Sequence, residues 1–248
     1  MAVKPNFTKK KKRKVHGAAF WDQEYTSPSH LKLSTVESGD LAKFTRFIAR
    51  QENELALRRG ASVFDVGCGN GRNLIYLARE FGMKGVGVDI SAAAIAQARR
   101  ASVGLPITYH VGSAGSLLPV PDGSQTLVLD MMTSHFLNKT ERTDLRDELY
   151  RSLVPGGWLF MKTFLKDEDL HTARLLKDFP GEEVGSYIHP VMGVAEYVYS
   201  EEELVALLSE KFLIRKIYRS HRHATKGGAG KRRTISIYAE KDYGVARG

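Results

Sequence analysis

Residues 61–71 read Ala-Ser-Val-Phe-Asp-Val-Gly-Cys-Gly-Asn-Gly. The first half is a short apolar run that favours a buried β-strand, and residues 70–81 carry apolar side chains at helical spacing. Glycines let the backbone turn sharply and come close to a ligand, because no Cβ is in the way. The helix that follows offers free backbone N–H groups at its start. The stretch therefore predicts a strand–turn–helix unit whose turn binds a ligand.

Strands and helices alternate along the rest of the chain. This alternation predicts an α/β fold, in which helices wrap a parallel sheet and ligands bind at the carboxyl ends of the strands. The predicted strands are 61–66, 85–89, 107–111, 126–131, 158–164, 212–218 and 234–239. The predicted helices are 40–59, 70–81, 92–101, 138–153, 167–178 and 200–210.

Two acidic residues stand where a nucleoside ligand needs them. Asp65 precedes the first glycine of the turn, where a carboxylate can accept hydrogen bonds from a cationic amino group. Asp89 ends the second strand, where an acid can hold two ribose hydroxyls. The dinucleotide fingerprint has a further glycine where this chain has Arg72, which disfavours a nicotinamide or flavin cofactor.

This arrangement resembles the class I S-adenosylmethionine-dependent methyltransferases over roughly residues 61–164. The resemblance implies a doubly wound, mostly parallel seven-stranded Rossmann-like sheet with an antiparallel last strand. It also implies S-adenosyl-L-methionine as the cofactor. The residues implied to bind it are Asp65, Gly67, Gly69, Asn70, Gly71, Asp89, Ile90, Ser113, Ala114, Asp130 and Met131. Ser113 departs from the aspartate that the family usually has at that position.

Methyl transfer from a sulfonium is an in-line displacement, so the enzyme mainly aligns the reactants and excludes water. A hydroxyl or protonated amine as the acceptor also needs a base. His135, shortly after the fourth strand, is the first candidate, and His189 is a second. A histidine that packs against or caps the following helix is the alternative interpretation of His135.

The segment Trp21-Asp22-x-x-Tyr25 resembles the N-terminal lid of the thiopurine and tellurite-resistance methyltransferases. The resemblance implies that these aromatic side chains cover the cofactor, and it makes Tyr25 a catalytic candidate in addition to the histidines. Trp21 and Tyr25 share one helical face. An ordinary hydrophobic staple is the competing interpretation.

The net charge of +9 is concentrated in two segments. Residues 1–20 carry +7 and residues 211–233 carry +9, so the remainder is acidic. Residues 10–15 read Lys-Lys-Lys-Arg-Lys-Val, which resembles a nuclear-localisation signal and would equally serve as an arm on RNA or as a solvated tail. Basic residues in 220–233 predict a rim at the substrate entrance that favours an anionic partner, with a solvated loop as the alternative.

These observations predict a basic, disordered tail at 1–19, a lid and helix at 20–60 and a methyltransferase domain at 61–240. The predicted acceptor is a small or medium-sized molecule, either anionic, as the basic rim favours, or neutral. The alternative is RNA or protein, bound through the basic arm and the hairpin. No apolar run approaches the ~20 residues that span a bilayer, so no membrane partner is expected. The single cysteine, Cys68, excludes an internal disulfide and a cysteine-rich metal site. It indicates an intracellular protein, cytoplasmic or, if residues 10–15 act as a signal, nuclear.

Overall fold

The computed structural model describes residues 17–30, 33–51, 55–220 and 232–243. The strands are β1 (Ser62–Val66), β2 (Lys84–Asp89), β3 (Ile107–Val111), β4 (Gln125–Met131), β5 (Leu153–Phe164), β6 (Ser186–Ile188), β7 (Ala195–Tyr197), β8 (Leu213–Arg219) and β9 (Thr234–Glu240). Seven of them form one sheet in the order β3-β2-β1-β4-β5-β9-β8, and β6 pairs with β7 separately. Strands β1 to β5 are mutually parallel, whereas β9 runs antiparallel to both of its neighbours. The predicted sheet with an antiparallel last strand is therefore confirmed.

Helices cover both faces of this sheet. They are α1 (Ala18–Thr26), α2 (Gly39–Ile48), α3 (Arg72–Phe81), α4 (Ala92–Ala101), α5 (Lys139–Ser152), α6 (Leu170–Asp178) and α7 (Glu201–Ser209). Capping residues fix where several of them begin. The Ser91 hydroxyl accepts a hydrogen bond from the first turn of α4, and Asn138 and Ser200 each complete a capping box with a glutamate three residues later. Among the described residues, no helix is long and apolar enough to cross a membrane.

The core lies on the two faces of the sheet. One cluster packs α5 and α7 against the strands, and the other packs α2, α3 and α4 against the opposite face. Phe44 of α2 is fully buried in the second cluster, where its ring stacks on Phe160 at 5.0 Å and meets Tyr238 edge-on at 4.9 Å. This packing fixes α2 over β5 and β9, beside the carboxyl end of the sheet.

Three elements differ from the sequence-based prediction. The predicted helix 40–59 ends at Ile48, because tight turns at Arg50 and Gln51 close it. Strand β5 starts at Leu153, so the Pro-Gly-Gly turn is part of it. The β6–β7 hairpin was not predicted, since each strand has three residues within a segment rich in glycine and proline. The tail 1–16 and residues 221–231 of the basic loop lie outside the described residues.

Candidate active site

A cavity of about 880 Å³ opens at the carboxyl ends of β1, β2, β4 and β5, next to the point where the strand order reverses. Open α/β sheets bind ligands at this switch point. Most of the residues predicted to bind a cofactor line the cavity. They are Gly67, Gly69, Asn70, Asp89, Ile90, Ser113, Ala114 and Met131. Both predicted catalytic residues, Tyr25 and His135, line it as well.

The turn after β1 requires glycine at two positions for reasons of space as well as backbone conformation. Gly67 and Gly69 have φ of 68° and 55°. A Cβ at Gly67 would lie 2.0 Å from the Thr133 hydroxyl, and a Cβ at Gly69 would lie 2.3 Å from the Tyr25 hydroxyl. The bare backbone of this turn is therefore packed closely against neighbours on the cavity wall.

Asp89 is fixed at the end of β2 by two backbone groups. The amide of Gly69 donates to Oδ2 at 2.8 Å, and the amide of Ser91 donates to Oδ1 at 2.9 Å. Burial raises the pKa of this carboxyl, and the hydrogen bonds from the two backbone amides partly oppose the shift. The carboxylate joins the glycine turn to the start of α4 and keeps further lone pairs for a ligand.

Two residues predicted to bind the cofactor lie beneath the cavity surface instead. Asp65 is 1% exposed, and its Oδ2 has no hydrogen-bond partner among the described residues. Burial raises the pKa of Asp65 well above its usual value, and Asp89 and Asp130 add to the shift. Gly71 backs onto a neighbouring side chain, since a Cβ there would lie 2.4 Å from the Tyr109 hydroxyl. Asp65 therefore does not line the cavity, and Gly71 is required by packing.

Asp130 is the third such residue. Its Oδ1 accepts a hydrogen bond from the amide of Ser134 at 3.2 Å. This bond fixes the start of the 3₁₀ turn Ser134–Phe136, which follows β4. Burial raises the pKa of Asp130 to about 6. Side chains alternate along a strand, so Met131 points to the cavity while Asp130 points away from it.

Helix α1 closes the cavity by docking at two places. Asp22 Oδ1 accepts hydrogen bonds from the Ser91 hydroxyl at 2.7 Å and from the amide of Ala93 at 3.0 Å. The second bond gives a partner to a backbone N–H in the first turn of α4, which has no acceptor within the helix. At the other place, the Trp21 ring packs edge-on against Phe136 at 5.0 Å. The contacts thus tie α1 to another helix and to the 3₁₀ turn, as a lid requires.

Tyr25 extends from α1 over the glycine turn. Its hydroxyl would clash with a Cβ at Gly69, and its carbonyl accepts a hydrogen bond from Gln97 of α4. Burial raises the pKa of Tyr25, and the nearby Asp89 raises it further. The hydroxyl therefore keeps its proton at neutral pH and is available as a hydrogen-bond donor.

His135 lies in the 3₁₀ turn, buried between two aromatic rings. The centroid of its ring is 4.0 Å from that of Phe136 and 5.1 Å from that of Phe164. Its Nδ1 is buried without a partner in the described part of the chain. Burial lowers the pKa of His135 to about 4, so the imidazole is neutral at pH 7. The residue thus both packs the turn and lines the cavity.

His189 is held in one tautomer by its own loop. The amides of Val191 and Met192 both donate to Nδ1, at 3.3 and 3.2 Å. Nδ1 is therefore an acceptor, and the neutral ring carries its proton on Nε2. Burial also lowers the pKa of His189. The second candidate base is consequently set up as a hydrogen-bond donor.

Sequence reasoning missed a charged cluster on the same wall. Glu196 of β7 is 1% exposed, and its Oε2 accepts hydrogen bonds from the Tyr187 hydroxyl at 2.6 Å and from Arg232 Nη1 at 2.5 Å. The Arg232 guanidinium lies flat on the Phe164 ring, 3.3 Å from its centroid. Arg232 was predicted to stand on a basic rim; the structure turns it inward because Glu196 is there. Only the unpredicted β6–β7 hairpin brings Glu196 and Tyr187 to the site.

Comparison with known proteins agrees with this geometry. The family model described as "Methyltransferase domain" matches residues 63–157. A SAM-dependent methyltransferase of Methanosarcina mazei has a similar structure, with a TM-score of 0.64 and 28% identity over 75% of this chain and 95% of that one.

Two curated relatives match shorter stretches. An uncharacterized methyltransferase of Synechocystis sp. is 30% identical over 51% of this chain and 56% of its own length. A 2-phytyl-1,4-naphtoquinone methyltransferase of Thermosynechococcus vestitus is 37% identical over 42% of this chain and 46% of its own length. The chain thus spans about half the length of these relatives. The narrower resemblance of the lid to the thiopurine and tellurite-resistance group stays a prediction.

Proposed function

We propose that the chain carries a class I S-adenosylmethionine-dependent methyltransferase domain and that it methylates a small or medium-sized acceptor bound beneath α1. The observation that carries the proposal is the double docking of α1. Asp22 ties the helix to α4 beside the glycine turn, and Trp21 ties it to the 3₁₀ turn beside His135. A cavity covered in this way suits a molecule that is enclosed whole and shielded from water.

S-adenosylmethionine is the cofactor of this family, and the residues present fit it. Gly67 and Gly69 leave bare backbone on the cavity wall, and Asp89 presents a half-buried carboxylate suited to ribose hydroxyls. Ile90 and Ser113 would line the adenine. The unpaired oxygen of Asp65 lies beneath the site, and a cationic ligand above it would oppose the raised pKa of this carboxyl and favour its ionised form. When bound, the cofactor supplies a methyl group on positively charged sulfur.

The side chains of the protein would then align the acceptor and handle its proton. α1 excludes water, and the protonated Tyr25 hydroxyl donates a hydrogen bond near the turn. His135 is neutral at pH 7, as a base must be before it takes a proton. We assign His135 the role of general base, which removes the proton from a hydroxyl or amine of the acceptor as the methyl group is transferred. Its low pKa makes it a weak base, so the proton passes to it only as the new bond forms.

The polymer alternative has less support among the described residues. Of the basic residues predicted to rim the entrance, Arg232 is paired with Glu196, and Arg233 is buried with its guanidinium on the carbonyl of Asp167. The relative that methylates 2-phytyl-1,4-naphtoquinone supports a small acceptor by analogy. We therefore retain a single candidate function.

The test is a transfer assay with tritiated methyl groups on S-adenosylmethionine. The purified protein is incubated separately with a low-molecular-weight metabolite extract, with total RNA and with a protein fraction. We expect label in the metabolite fraction, and loss of that label in Asp89→Ala. Label confined to RNA or protein would contradict the proposed acceptor class, and no label in any fraction would contradict the activity.

A further inference from the structure

One wall of the cavity carries an arginine, Arg232, with hydrogen-bond donors that no described residue uses. Arg232 lines the cavity with 12% of its side chain exposed, and its Nη1 is bound to Glu196. Its Nε and Nη2 are buried and have no partner in the described ranges. These two nitrogens form one edge of the planar guanidinium, the edge that binds a carboxylate or phosphate through two parallel hydrogen bonds. Leaving them unpaired is costly, so a ligand oxyanion there would be stabilising.

The guanidinium is held in place before any ligand arrives. Phe164 supports one face at 3.3 Å, and the Tyr187 ring lies 5.2 Å away. Glu196 fixes the Nη1 end and is itself held by the Tyr187 hydroxyl. A side chain confined in this way loses little entropy on binding, which favours specific recognition.

The neighbouring groups favour an acidic ligand over a basic one. Oε2 of Glu196 already accepts two hydrogen bonds, from Tyr187 and Arg232. His189 presents an Nε2–H on the same cavity wall, because its Nδ1 is occupied by two amides. Arg232 and His189 together therefore offer more free donors than Glu196 offers free acceptors.

We propose that the methyl acceptor carries an oxyanion, a carboxylate or a phosphate, and that Arg232 binds it through its Nε–Nη2 edge. This edge is covered in the structure, so binding requires the neighbouring side chains to move and open it to the cavity. His189 supplies a further hydrogen bond from Nε2. The Arg232 guanidinium is held in its orientation by three positioning residues, Glu196, Tyr187 and Phe164. The proposal rests on the proposed function for the identity of the bound molecule as the methyl acceptor, and it makes Arg232 a specificity-determining residue of that reaction.

The first test measures binding of simple probes. Benzoate and inorganic phosphate represent the two oxyanions, and benzamide is the neutral match of benzoate. We expect the wild-type protein to bind benzoate or phosphate about tenfold or more tightly than benzamide, because a charge-assisted bidentate pair is lost with the amide. In a ¹⁵N spectrum, the Arg232 Nε–H resonance should shift with the oxyanion and not with benzamide. Equal binding of all three probes, or an unmoved resonance, would overturn the proposal.

Two variants separate recognition from folding. Arg232→Lys keeps the charge and loses the planar fork. The double variant Arg232→Gln/Glu196→Gln removes both buried charges together, so neither is left unpaired. Both should keep a cooperative unfolding transition and the wild-type affinity for S-adenosylhomocysteine, and both should lose the preference for oxyanions. Retention of that preference in Arg232→Lys would show that the fork is not what binds.

Once the transfer assay yields an acceptor, its kinetics separate this proposal from the proposed function. In Arg232→Lys we expect KM for an acidic acceptor to rise about tenfold or more, while KM for its neutral amide analogue hardly changes. Methyl transfer with an unchanged KM would overturn the role of Arg232 and leave the function intact. Oxyanion binding without any methyl transfer would overturn the function and leave the anion site intact.

Discussion

Substitution of Gly69 by alanine tests whether α1 lies over the glycine turn. Two costs add at this position. The φ of 55° strains any residue with a Cβ, at about 1–2 kcal/mol. The new Cβ would also lie 2.3 Å from the Tyr25 hydroxyl, and such overpacking costs about 1–3 kcal/mol. We therefore expect the free energy of unfolding to fall by about 2–5 kcal/mol, the sum of the two ranges.

A matched control separates the two costs. Gly104 has a φ of 81° and no atom within 4 Å of its ideal Cβ, so Gly104→Ala carries the backbone strain alone, about 1–2 kcal/mol. Tyr25→Phe removes the oxygen that clashes with alanine at position 69, after which the nearest atom is Cζ at 3.3 Å. The variant Gly69→Ala/Tyr25→Phe should thus regain much of the overpacking cost.

Urea denaturation of the single and double variants measures these differences, and a double-mutant cycle gives the coupling between positions 25 and 69. We expect a coupling of about 1 kcal/mol or more between the two positions. If Gly69→Ala costs no more than Gly104→Ala, and Tyr25→Phe restores nothing, then Tyr25 does not cover the turn and the closed lid is wrong.

Three further predictions concern the lid, the core and the buried histidine. Asp22→Ala should lower the free energy of unfolding by about 1 kcal/mol, because the amide of Ala93 loses its acceptor. Hydrogen bonds lower the pKa of Asp22, so this contribution is present above the usual carboxyl pKa and is lost as the pH falls through the lowered one. Urea titrations should therefore find wild type and variant equally stable at low pH. Phe44→Ala should cost about 3–5 kcal/mol in the same assay, and a loss below 1 kcal/mol would contradict the aromatic stack at the core. His135 takes up its proton near pH 4 when folded and near 6.5 when unfolded, so it destabilises the fold as the pH falls between these values, by up to about 3 kcal/mol. His135→Gln should flatten that pH dependence and reduce kcat, whereas an unchanged pH profile would show that the ring is not buried and neutral.

Local sequence predicts much of this fold because local signals agree with tertiary packing. The glycine turn, Asp89 and the capping residues Ser91, Asn138 and Ser200 lie where the pattern places them. Helix α4 has the predicted bounds, since its cap is strong. The helix predicted at 40–59 is the opposite case: apolar positions at Leu55 and Leu57 continue the helical spacing, but the chain turns before them to enter β1.

The site is predictable only where one element decides it. The cavity position of Asp89 follows from the end of a strand, and the lining role of Met131 follows from alternation. Asp130, which the resemblance placed with the cofactor, bonds to the 3₁₀ turn instead of lining the cavity, because the sequence alone does not show which face of β4 packs inward. The Arg232–Glu196 pair joins residues 36 positions apart, through a hairpin of two short strands. No local pattern predicts such a contact.

The proposed function requires S-adenosylmethionine to bind at the glycine turn, residues 67–71, with its ribose on Asp89. Calorimetric titration of the cofactor into wild type, Asp89→Ala and the control Asp144→Ala, an exposed aspartate on α5, tests it most directly. We expect one site per chain in the wild type, an unchanged affinity in Asp144→Ala, and an affinity about tenfold or more weaker in Asp89→Ala, because the ribose hydroxyls lose their acceptor. Equal affinity in all three proteins, or no binding to the wild type, would contradict the account.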